Sequence, residues 1–158
     1  MSVFAKTSSS PKPKTKNVSQ VSLLLAGIFI LFVMTQICTL GPFTRLIESF
    51  WLPGGVRGAH LLTALIVITE LFAVPFLVRM RLSKAMRILS MICGWAVVLI
   101  WLGLSLWLVL SVNAIHNIGF LGTIFDLQPG WWAILFSTAL GILSVWASWG
   151  MWPLRGKK

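Results

Sequence analysis

Four long apolar stretches, at 18–40, 59–78, 88–112 and 131–153, dominate the chain, and polar residues gather in the segments between them. Each stretch reaches or exceeds the about 20 residues that a helix needs to cross about 30 Å of hydrocarbon. The pattern predicts an all-α fold, a four-helix transmembrane bundle whose sequential helices are antiparallel neighbours joined by short links. The whole of 18–154 reads as one transmembrane domain, flanked by a basic tail at 1–17 and a basic C-terminal tail at 155–158. No period of 20–50 residues repeats strongly enough to suggest an array.

Composition supports the same class independently. A chain of 158 residues that is 58% hydrophobic and 10% charged cannot hide its apolar surface in a water-soluble globule, because small domains have too little interior. The formal charge of +10 would point to nucleic acid in a soluble protein, but here its distribution matters more than its sum. Lys6, Lys12, Lys14 and Lys16 precede the first span. Arg79, Arg81, Lys84 and Arg87 fill the second connection, and Arg155, Lys157 and Lys158 follow the last span. Only Arg45 and Arg57 lie on the other side. The positive-inside rule therefore places both termini in the cytoplasm of a cell-membrane protein, with connections 41–58 and 113–130 outside. The partner implied by this charge is anionic lipid, not nucleic acid.

The first span is expected to stay attached rather than act as a signal peptide. It is longer than a signal core, Thr35-Gln36-Ile37-Cys38-Thr39 offers no pair of small residues at cleavage spacing, and Ile37 before Cys38 argues against a lipoprotein site. The tail ahead of it, rich in Lys, Ser and Pro, is expected to be disordered.

One residue breaks the apolar pattern deeply. Glu70 falls about eleven residues into the second span, where a bare carboxylate costs at least about 2.5–3.5 kcal/mol, so it must point inward and be partnered or protonated. Thr63 and Thr69 on the same helix, and Gln36, Ser105 or Ser137 on others, are the candidate partners. A fold-specifying role and a ligand or proton role both remain open. Pro75, five residues on, should bend this helix and free a backbone carbonyl that a neighbour must satisfy.

The outer connections carry the remaining candidate chemistry. Phe43, Arg45, Leu46, Glu48, Phe50 and Trp51 read as a short interfacial helix ahead of the Pro53-Gly54-Gly55 turn, with Arg45 and Glu48 spaced to pair. His60 and His116 near the outer surface make a poor metal site by themselves and suit interfacial hydrogen bonding. Cys38 and Cys93 lie about 20 Å apart in depth at 1.5 Å per residue, too far for a disulfide. No Cys-x-x-Cys pair, phosphate-binding glycine loop, nucleophile elbow or His-Glu-x-x-His sequence is present, and no residue pattern demands a metal or cofactor, so a non-catalytic protein is expected.

Helix contacts are also written in small residues. Ala133, Ser137, Gly141, Ser144 and Ser148 form a stripe along the fourth span that lets another backbone approach, and Ser90 and Gly94 do so more briefly in the third. Trp131 and Trp132 at one end of the fourth span, and Trp149 and Trp152 at the other, are belt residues. Trp95, Trp101 and Trp107 read as packing groups between helices.

Thr69-Glu70-Leu71 with its following apolar run, then Arg79-Met80-Arg81, Ala85 and a second long apolar helix, resembles the central part of the MauE/DoxX-like family of small four-helix membrane proteins. In the third connection, Ile118-Gly119-Phe120-Leu121-Gly122 and the later Trp131-Trp132 are similar to the Cys-Gly-Cys-Phe-Gly segment and following helix of MauE proteins. Gly119 and Gly122 fit; the cysteines are replaced by Ile118 and Phe120. The resemblance implies membrane support of redox-associated maturation. Without the cysteine pair, it implies a scaffold or accessory factor that binds a membrane or extracytoplasmic partner through outer-face residues such as Arg45, Glu48, His60, His116, Gly119, Gly122 and Asp126. The alternatives are a small proton- or ion-coupled transporter centred on Glu70, and an accessory subunit whose fourth-helix stripe faces another chain.

Overall fold

A computed structural model describes residues 13–111 and 115–152. The basic residues Lys6, Lys12, Arg155, Lys157 and Lys158, and most of both expected tails, lie outside the described residues. The order is α1 (Lys16–Cys38), α2 (Leu40–Glu48), α3 (Gly55–Leu77), α4 (Lys84–Leu110) and α5 (Trp131–Gly150). The four long helices are each long and apolar enough to cross a membrane, and the chain is a multi-pass membrane protein.

Local signals account for the boundaries. Thr15 caps α1 by accepting from the Val18 N–H at 3.3 Å, which brings the helix start two residues ahead of the expected Val18. Ser83 caps α4 in the same way through Met86. Pro42 has no N–H to bond the Cys38 carbonyl, so α1 cannot run on. Thr39 leaves helical geometry and α2 starts directly after it. At the other side of α2, Gly54 takes φ 110, a left-handed conformation that opens α3.

The long helices form a closed ring in which α1 packs on α3, α3 on α4, α4 on α5 and α5 back on α1, while α2 lies mainly against α3. The end holding the 39–54 and 115–130 segments is termed the loop end, and the end holding residues 13–15, 78–83 and 151–152 the tail end. At the tail end the Lys14 N–H donates to the Gly150 carbonyl at 3.2 Å, and its ammonium sits 5.0 Å from the Trp149 ring centre.

Polarity is distributed as lipid requires. Leu24, Leu61, Leu99, Leu135 and Ile142 turn outward, so every long helix has an exposed apolar face. Inward, the ring buries Ser22, Gln36, Thr69, Glu70, Ser90, Ser105, Ser137 and Ser148. In lipid, apolar burial supplies little drive between helices, and close packing with interhelical hydrogen bonds takes its place.

The α5 stripe is consumed inside the bundle, facing α4. Ser137 Oγ lies 3.3 Å from Ser105 Oγ, Ser148 Oγ accepts from Trp95 Nε1 at 2.9 Å, and a Cβ on Gly141 would lie 3.1 Å from Val98 Cγ1. Ala133 and Ser144 are buried on the same line. A second chain therefore finds no small-residue stripe there, because α4 already occupies it. On the α1 side, Gly150 sits against the Val18 methyl groups, where any side chain would overlap them.

Ser90 enters the ladder one residue beyond the bond that Pro75 cannot make to the Leu71 carbonyl. Its hydroxyl accepts from the Phe76 N–H at 3.0 Å and donates to the Phe72 carbonyl at 2.5 Å, joining the two ends of one turn of α3. A side chain of α4 thus stands in the backbone ladder beside the proline. Gly94, one turn on, lets Ala73 approach to 3.7 Å from where a Cβ would be.

Candidate functional site

Glu70 is fully buried in α3, seven residues before that helix ends at Leu77. Its Oε1 accepts from Trp101 Nε1 of α4 at 2.7 Å and from Gln36 Nε2 of α1 at 3.3 Å. The same Gln36 amide donates to the Phe120 carbonyl at 3.3 Å. One carboxyl thereby joins three spans, and through Gln36 it reaches the segment that closes the loop end.

That segment enters the bundle as a plug, and its own backbone explains its shape. The Asn117 Oδ1 accepts from the Gly119 N–H at 2.8 Å, and its Nδ2 donates to the Gly122 carbonyl and to Asp126 Oδ1, both at 3.2 Å. The Ile118 N–H donates to the Leu127 carbonyl at 2.8 Å, which ties the two strands of the plug together. Gly119 and Gly122 take φ 89 and 59, positions that side chains rarely adopt. They are also close-approach points. A Cβ on Gly122 would run into Thr39 Oγ1 and lie 3.0 Å from the Thr35 carbonyl oxygen, and one on Gly119 would lie 3.0 Å from the Phe43 ring.

The tip carried inward is Phe120, fully enclosed with its ring centre 4.6 Å from Trp101, 5.2 Å from Phe136 and 5.6 Å from Phe32. These aromatic contacts seat the plug, each pair adding about 0.5–1.5 kcal/mol beyond area burial. Above Glu70 there is thus a wall of aromatic rings.

The hydrogen-bond inventory is lopsided. Glu70 Oε1 has two donors, whereas Glu70 Oε2 and Gln36 Oε1 are buried and have none. Acceptors enclosed in an apolar chamber without a donor are costly. A proton on the carboxyl supplies one donor where both oxygens lack one.

Not every expected neighbour converges here. The Thr69 hydroxyl donates back to the Leu65 and Ile66 carbonyls of its own helix, at 2.7 and 3.0 Å. Thr63 is buried two turns nearer the loop end, and its hydroxyl has no partner. Ser105 donates to the Trp101 carbonyl at 2.7 Å and meets Ser137, so this pair stands behind the tryptophan rather than on the carboxyl. The three tryptophans of α4 are more than packing groups: Trp95 donates to Ser148, Trp101 to Glu70, and Trp107 to the Phe50 carbonyl at 2.9 Å. A tryptophan in mid-span whose N–H must find a partner was the available signal for Trp101.

The remaining candidates lie at the loop end. Arg45 is exposed on α2, and Glu48 faces His60 across the α2–α3 turn, 3.6 Å from Nδ1, instead of the expected Arg45. The reason is tertiary: Glu48 closes α2 beside the first turns of α3, and His60 Nδ1 is fixed there 2.8 Å from the Val56 carbonyl. His116 and Asp126 border a groove between α2 and the plug. Cys38 and Cys93 are both free thiols.

Compared with family models, with curated proteins and with solved structures, the chain matches none.

Proposed function

We propose that this protein is a non-catalytic membrane scaffold that presents its loop end, on the outer face of a cell membrane, to a membrane or extracytoplasmic partner. The supporting observation is the Gln36 amide, which bonds both Glu70 and the Phe120 carbonyl and so makes the closing segment part of the bundle. A preorganised surface loses less freedom when a partner docks. In this reading Glu70 is the keystone of the fold, with both termini and the 78–83 linker in the cytoplasm. The likeness to MauE/DoxX proteins suggests redox-associated maturation as the setting. Ile118 and Phe120 stand where that family carries cysteines, and both are buried, so the role is support of a partner and not thiol exchange.

A second reading has one observation in its favour. The two donorless oxygens, Glu70 Oε2 and Gln36 Oε1, suit a carboxyl that takes up a proton, as a proton-coupled transporter would require. Proteoliposomes with an entrapped pH-sensitive dye separate the two. The scaffold reading expects no proton flux above empty vesicles for the wild type or Glu70→Gln. Flux in the wild type that Glu70→Gln abolishes would replace it with transport. With Cys38 and Cys93 replaced by Ser, single substitutions Arg81→Cys and Thr123→Cys, probed with an impermeant reagent, test the orientation: only the second should label from outside.

A further inference from the structure

The loop end holds a second built feature, independent of Glu70 and of the scaffold reading. Between the last turn of α2 and the plug lies an open groove of about 530 Å³, within the size range of small-ligand sites. It is lined by the apolar Leu46, Trp51 and Ile115 together with the polar Ser49, His116, Asn117 and Asp126.

Trp51 has φ 52, a left-handed conformation that a bulky residue rarely takes, and the residue is 78% exposed. Asn117 is buried and fixed by Gly119 and Gly122, and it orients Asp126 through one oxygen, Oδ1, leaving Oδ2 for a further donor. The sequence has three acidic residues. Glu70 is sealed in the bundle and Glu48 faces His60, and Asp126 is the acid that lines this groove.

A carboxylate and an exposed indole lining one groove are the chemistry that recognises an organic ammonium group, the first by charge and the second by its ring face. We infer that this groove binds the ammonium head group of a phospholipid, phosphatidylethanolamine in the first instance. The groove sits at one end of a membrane-crossing bundle, which is where head groups lie whichever way the chain is oriented.

The test uses the full chain in mild detergent with an ethanolamine phospholipid and a glycerol phospholipid of identical acyl chains, the bound lipid being counted by native mass spectrometry. The wild type should retain the ethanolamine lipid with about tenfold preference, the equivalent of about 1.4 kcal/mol. Asp126→Asn, which keeps an acceptor for Asn117, should lose that preference, and Trp51→Leu should reduce it. Ser49→Trp, which fills the groove from α2 without touching the Asn117 network, decides the matter if Asp126→Asn fails to fold, and should also lose it. Equal retention of both lipids by the wild type, or full preference in Asp126→Asn or Ser49→Trp, overturns the ammonium site. Displacement of the lipid by free ethanolamine at equal concentration would assign the groove to a soluble amine and overturn the lipid assignment.

Discussion

Removing the Glu70 side chain should be far worse than neutralising it. Glu70→Ala strips two buried donors, Trp101 Nε1 and Gln36 Nε2, of their shared acceptor. Interhelical hydrogen bonds inside membranes are worth about 0.6 kcal/mol on average and up to about 1.7, so the pair contributes roughly 1–3 kcal/mol. The void left behind, about 50 Å³ where the ring does not collapse, adds about 1 kcal/mol. The expected loss is about 2–4 kcal/mol, or a factor of about 30 to 1,000 in the folding equilibrium. Glu70→Gln keeps an oxygen for both donors and places an amide nitrogen where Oε2 has none, with Gln36 Oε1 still in need of a donor. Its stability should lie within about 1 kcal/mol of the wild type. Reversible unfolding in mixed micelles, titrated with a denaturing detergent and followed by tryptophan fluorescence, measures both. Equal losses for the two variants, or a wild-type-like Glu70→Ala, would refute the keystone argument, because then neither the shared acceptor nor the packing around it holds the spans together.

Ser90→Ala orphans the Phe76 N–H and the Phe72 carbonyl and should cost about 1–2 kcal/mol in the same assay. In a Pro75→Ala background the helix can close its own ladder, so the cost of losing Ser90 should fall by at least about 0.5 kcal/mol; strict additivity would show that Ser90 does not bridge the proline break. Gly122→Ala combines a left-handed φ with a collision at Thr39 and should unseat the plug while leaving the bundle assembled. Hydrogen exchange of the 117–127 amides should then rise well above wild type with the span amides unchanged, and unaltered protection across the plug would contradict its tight seating.

How the chain divides into spans was legible from composition, because an apolar run long enough to cross hydrocarbon is a local property that needs no knowledge of neighbours. The same holds for the oddity of Glu70, the proline inside α3 and the short helix after α1. Partners are another matter. Spacing along the chain offers Gln36 beside Thr63, Thr69, Ser105 and Ser137 as a partner for Glu70 and cannot choose among them, whereas the structure selects Gln36. Gln36 and Glu70 meet because side chains lean toward the N-terminus of their own helix, and in antiparallel neighbours those leanings converge. No local pattern marks the Phe120 carbonyl, and the mid-span N–H of Trp101 announces that it needs a partner without saying which, since these groups lie 84 and 31 residues from the ones they bond. Likewise the fourth-helix stripe announced a close contact, but only the closed ring of helices decided that α4 fills it. Glu48 chose His60 over Arg45 for the same reason: charge spacing along one helix is written in sequence, whereas the helix packed across from it is set by the whole bundle.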